Sequence, residues 1–159
     1  MLGVASALSG QERNFRHLTP AEGLNNGTIN DIQQDDLGRL WLATWDGLMR
    51  YDGYSVINYK PVHGDTSSLP SKRISRLSKD SFGHVWVSTV NGLARYNSRT
   101  NSFSRMSFKG RKADEAARFR VSEYNGNLYV NGPGGVYYYP LANMSSNQFL
   151  PVSRIGAED

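Results

Sequence analysis

A chain of 159 residues with 38% hydrophobic, 11% aromatic and only 20% charged residues, 16 glycines and 9 tyrosines is globular and closer to all-β than to helical or disordered. Its length suits one ordinary domain or three units of about 45 residues. The absence of cysteine excludes disulfides, thiol catalysis and cysteine metal sites, and no run of about 18 apolar residues is present to cross a membrane as a helix. The net charge of +4 gathers between Arg99 and Arg120, where seven Lys or Arg face Asp114 and Glu115; with no stacking platform beside them, they read as a solvated connector and not as a nucleic-acid surface.

Residues 1–10 are small and apolar, and Ala5-Ser6-Ala7 has the A-x-A form of a signal-peptidase site. They are expected to be the remnant of a secretory signal. A first unit covers 24–63. Ile29 and Ile32 bracket a short strand that ends in the turn signal Asp35-Asp36-Leu37-Gly38. Leu40 to Thr44 is nearly all apolar, as suits a strand covered on both faces. Asp46-Gly47 then predicts a two-residue hairpin with φ > 0 at both positions. Leu48 to Tyr51 makes a third strand, Asp52-Gly53 a second tight turn, and Tyr54 to Tyr59 an outer fourth strand closed by Pro61.

A second unit, 64–110, repeats the first: Gly38 to Tyr51 returns 45 residues later as Gly83 to Tyr96. The repeated positions are Asp35, Gly38, Trp41, Thr44 and Gly47, matched by Asp80, Gly83, Trp86, Thr89 and Gly92. A longer turn, Asn97 to Ser102, precedes an outer strand from Phe103 to Phe108. A third, degenerate unit occupies 111–153. There Gly126 to Val130 replaces the tryptophan strand, Gly132-Pro133-Gly134-Gly135 the turn, and Val136 to Tyr139 the third strand, with Gln148 to Leu150 outermost. Residues 154–159 read as the start of a continuation.

Self-similarity at a fixed period, with four short antiparallel strands per unit, predicts an all-β fold: a β-propeller fragment of about three blades. A blade cannot bury both faces alone, so Trp41 and Trp86 are expected in the core between blades, where each buries roughly 150–250 Å². Propellers close with about four to eight blades, so three units leave the ring open.

The pattern from Ile29 to Tyr51, repeated from Ile74 to Tyr96, resembles the two-component regulator propeller repeat of hybrid sensor kinases in Bacteroidetes-type bacteria. The third unit departs from it by losing both aspartate and tryptophan. The segment Phe15 to Leu24 resembles the family's first mature segment, which implies a closing strand within 11–23. The resemblance implies a periplasmic sensor of many blades, anchored in the membrane outside this segment, homodimeric when whole, and followed by kinase modules that this chain lacks. It implies recognition of an oligosaccharide-like signal. A fragment of a propeller lyase or glycosidase and a self-assembling interaction module remain open as alternatives.

No catalytic set emerges. Asp36 to Trp41 nearly matches the Asp-box of sialidase-type propellers, but Gln34 and Ser81 break it, and Asp35 and Asp80 are expected to bond backbone N–H groups of their own turns. Asp46 recurs as Asn91, so a pair of carboxylates about 5–10 Å apart is missing. His17, His63 and His84 share no metal-ligand spacing. No cofactor or metal is expected. In propellers resembling this one, ligands meet loops between the second and third strands and between blades. Those loops hold Asn25, Asn26, Trp45, Asp46, Ser67, Ser68 and Asn91, whose amides, carboxylate and indole suit a sugar. The remaining blades and an oligosaccharide are the expected partners.

Overall fold

The computed structural model describes residues 17–24, 28–108, 119–132, 135–142 and 147–151. The readings placed on residues 1–10, Asn25, Asn26 and 154–159 lie outside these, as does most of the basic connector. Among the described residues the structure is built from strands, apart from one 3-10 turn at Pro20–Glu22.

The first sheet takes β1 (Ile29–Gln34), β2 (Leu40–Thr44), β3 (Gly47–Tyr51) and β4 (Val56–Tyr59) in chain order, all antiparallel. The second repeats it with β5 (Ile74–Lys79), β6 (Val85–Thr89), β7 (Gly92–Asn97) and β8 (Ser102–Arg105). The registers of the first three strands correspond pair for pair, and even the bulge between Ile29 and Asp31 returns between Ile74 and Arg76, whereas the outer strand β8 is shifted by two residues relative to β4. The third sheet has β10 (Arg120–Tyr124), β11 (Asn127–Gly132), β12 (Gly135–Pro140) and β13 (Gln148–Pro151), with β9 (Ser107–Phe108) as a fifth, parallel strand at its edge.

That fifth strand divides the outer strand expected from Phe103 to Phe108. Met106 N–H still donates to Leu93 O at 2.9 Å, inside the second blade, whereas Ser107 N–H donates to Asn147 O at 2.8 Å, in the third. Phe108 then stacks on Phe119 (5.2 Å between ring centres) and on Phe149 (5.4 Å). Burying that ring in the third blade's core pulls the chain across. The outer strand of the first blade is also shorter than expected, because Asp52 Oδ1 accepts the N–H groups of Tyr54 and Ser55 and holds them in a turn.

Side chains alternate along each central strand, so each sheet has one face toward each neighbour. Trp41 and Ala43 of β2, Leu48 of β3 and Tyr59 of β4 meet Ile74, Leu77, Val85, Val87, Ala94, Tyr96 and Phe103 of the second sheet. Trp86 and Leu93 turn the other way, onto Leu128, Val130, Tyr137, Tyr139 and Phe149 of the third. Both tryptophans are fully buried, at matching places in successive interfaces.

Candidate ligand-binding faces

The turns between first and second strands show why the repeat needs its aspartate. Asp35 Oδ1 accepts the N–H groups of Leu37 and Arg39, while Oδ2 accepts the Trp41 indole N–H at 2.8 Å and Arg39 Nε at 2.8 Å. Asp80 does the same with the N–H groups of Phe82 and His84 and the Trp86 indole at 2.9 Å, and His84 Nδ1 takes the place of the arginine. The bonds to the backbone were legible in the sequence; the bond to the indole six residues on was not. Burial by itself raises the Asp35 carboxyl, but the hydrogen bonds from Trp41 and Arg39 outweigh it and hold the pKa below the ordinary 3.8.

The arginine and tyrosine that end each repeat also act between blades. Arg50 Nη1 donates to the Tyr96 hydroxyl at 2.6 Å and lies 5.6 Å from the centre of the Trp41 ring. Arg95 Nη1 reaches the Tyr139 hydroxyl at 3.4 Å and lies 5.8 Å from Trp86. Each arginine therefore caps the tryptophan of its own blade and bonds the tyrosine of the next. Asn101 closes the first network by accepting from the hydroxyls of both Tyr59 and Tyr96. Burial, followed by the bond with Tyr96, pushes the Tyr59 phenol far up.

On the face expected to meet a ligand, the structure spreads the candidate residues unevenly. The hairpin after β2 is Trp45-Asp46, flanked by the pair Thr44–Gly47. Asp46 is absent from the non-glycine residues with positive φ, so the expected mirror-image turn at Asp46-Gly47 does not form. Instead Thr44 Oγ1 donates to Gly47 O at 2.7 Å and accepts the Asp46 N–H at 3.0 Å. Thr89 repeats both bonds around Asn91. Gly47 has φ of +130°, and a Cβ there would lie 2.7 Å from Tyr59 O, which explains the glycine.

Trp45 is 62% exposed, and Asn91 is exposed at the equivalent tip. The Asp46 carboxylate is engaged by Lys60 Nζ at 2.7 Å and Lys72 Nζ at 3.4 Å. The hydrogen bond from Lys60 and its charge hold the Asp46 pKa below the ordinary value. Ser68 does not join this face: buried, it accepts the Val62 N–H and Arg105 Nη2 and donates to Asp65 O. Ser67 is bound to Asp65 through both N–H and Oγ.

A cleft of about 150 Å³ opens on the opposite face, between the turns that follow β1 and β5. Val85, Tyr96 and Asp35 form its buried floor, Arg39 and His84 its walls, and Asp36, Leu37, Phe82 and Ser98 its rim. The sequence drew no attention to Arg39 and His84 as partners. Their shared place, four residues after each aspartate, was the available signal. Among the described residues, no group of three or more His, Asp or Glu could hold a metal ion, and no helix is long and apolar enough to cross a membrane.

Comparison with known proteins gives these features a context. Residues 23–46 and 68–91 match the model of the two component regulator propeller family, so the first two blades carry its repeat. A histidine kinase, P4, of Formosa agariphila is 37% identical over 68 residues, which cover 42% of this chain and 5% of that protein. Among solved structures, the extracellular domain of the hybrid two component system BT3049 of B. thetaiotaomicron is 26% identical with a TM-score of 0.66, over 80% of this chain and 19% of that one. The extracellular domain of BT4673 from the same organism also reaches 0.66, at 18% identity over 87% and 20%, and supports the fold alone. The chain thus spans about a fifth of these domains.

Proposed function

Since the chain carries two copies of the two component regulator propeller repeat, we propose that it is a non-catalytic part of the ligand-sensing propeller of a hybrid two-component sensor, exported to the periplasm, that responds to an oligosaccharide-like signal. One observation carries this reading. Asp35, Trp41, Arg50 and Tyr96, with their counterparts in the next unit, bond within their own turn or across to a neighbouring blade. The repeat therefore builds a scaffold and leaves recognition to the loops, of which Trp45 and Asn91 are the open tips. Exposed indole suits the apolar face of a sugar ring, and amide and carboxylate suit its hydroxyls.

In the whole sensor, further blades would complete the ring, and ligand binding would bias the arrangement of two sensor copies for the kinase to read. The test is calorimetry with oligosaccharides from polysaccharide breakdown. The complete exported domain should bind one of them saturably and lose affinity with Trp45→Ala, and this chain by itself should show no micromolar binding. Glycan cleavage by the domain, or micromolar affinity of the isolated chain, would overturn the reading.

A further inference from the structure

We propose that the cleft between the turns after β1 and β5 is a second binding site, on the face opposite Trp45, for an uncharged polyhydroxylated ring the size of one monosaccharide. At about 150 Å³ the space holds roughly five waters at about 30 Å³ each. It lies below the roughly 300 Å³ at which drug-sized pockets begin, so it admits a single ring.

The walls are polar groups fixed in place, the Arg39 guanidinium as a donor and the His84 ring, with its Nδ1–H committed to Asp80, as an acceptor. Asp35 Oδ2 holds Arg39 Nε at 2.8 Å, and both carboxylate oxygens of Asp80 lie 3.0 Å from His84 Nδ1. Those aspartates are buried and also hold the indoles of Trp41 and Trp86, so neither wall can swing away. A pre-oriented donor and acceptor are what a weakly held neutral ligand needs, because nothing must be ordered when it binds.

Charge balance selects the ligand class. Arg39 already has Asp35 as its counter-ion, and Asp36, on the rim, is paired with Lys79 Nζ at 2.5 Å. An anion entering here would meet Asp35 and Asp36, and a cation would meet Arg39 and Lys79. A ring of hydroxyls can instead accept from Arg39 and donate to Asp36. The rim adds an apolar platform, since Phe82 is 62% and Leu37 74% exposed.

The corresponding place between the second and third blades is bridged without an Asp–Lys ion pair. Ser81 stands where Asp36 stands in the first unit, and Glu123 accepts both its N–H and its hydroxyl at 2.7 and 2.5 Å. The charge-balanced rim of Asp36 and Lys79 is therefore a property of the first interface.

A nitrogen-15 resolved NMR titration of the 159-residue chain tests the site, with methyl glucopyranoside, sulfate and tetramethylammonium as separate probes. The glycoside should shift the Gly83 and His84 amides and the Arg39 Nε–H saturably, with half-saturation on the order of 1–10 mM for so small a ligand. His84→Ala should weaken it about tenfold and Trp45→Ala leave it unchanged. Phe82→Ala, at an exposed rim position, should weaken it with the fold intact, and serves if the histidine variant does not fold. Absence of saturable shifts, shifts at Trp45 and Asn91 instead, or saturation by sulfate or tetramethylammonium in place of the glycoside would each overturn the proposal.

Discussion

Asp80 and Trp86 show how few atoms hold a blade to its neighbour. The indole N–H is buried and donates to Asp80 Oδ2. Asp80→Ala strands it together with two backbone N–H groups of the turn, and each stranded group costs about 1–3 kcal/mol. A urea midpoint well below that of Asp65→Ala, which loosens an exposed loop, is the expected result. Asp35 adds a pH dependence. Its folded carboxyl titrates below the ordinary 3.8, so the stability it contributes is present above that value and disappears as pH falls through the folded pKa. Asp35→Asn should flatten the acid limb of a stability–pH curve. At this scale the sequence displayed the repeated letters but not their partners. Arg50 and Tyr96 are 46 residues apart, and Arg95 and Tyr139 are 44, a separation at which no local rule pairs side chains.

The strands themselves were largely readable, because period-two burial and glycine-bearing turns mark them locally. The turn chemistry was less so. Asp46-Gly47 has the composition of a mirror-image turn, yet the Thr44 hydroxyl supplies the closing bonds and moves the tip one residue back, to Trp45-Asp46. Asn125-Gly126, in the third unit, is where both residues have positive φ, at 48° and 70°. The division between β8 and β9 was hidden because Phe103 and Phe108 look alike in sequence, though one faces the first blade and the other the third blade's core. Phe108→Ala should therefore cost about 3–5 kcal/mol, as large aromatic truncations in cores do. Amide exchange should quicken in both β8 and β13, since β9 is bonded to the latter in register Ser107–Gln148 and Phe108–Phe149. Acceleration confined to β8 would show that the crossing strand does not couple the two blades.

Across the molecule, apolar groups remain open at both ends of the stack. In the second blade Ile74 is fully buried and Leu77 only 7% exposed; in the first, Ile29 and Ile32 stand at the same positions with 38% and 56% exposure. In the third, Val136 is 46% exposed where Leu93 is fully buried. These are the front and back halves of one kind of interface, so the isolated polypeptide should associate head to tail with rising concentration. Sedimentation should detect this, and Val136→Asp should suppress it; a monomer at every concentration would mean the ends are self-sufficient. The ligand was not readable at this scale, because recognition depends on loops whose composition turns also demand. The pairs Arg50–Tyr96 and Arg95–Tyr139 run in one direction, each module offering a plug to its successor and a socket to its predecessor. A tandem in-frame copy of one whole module would thus arrive with both connectors matched, whereas a break inside it would orphan one of them. Such a chain can gain or shed modules without redesigning those that stay.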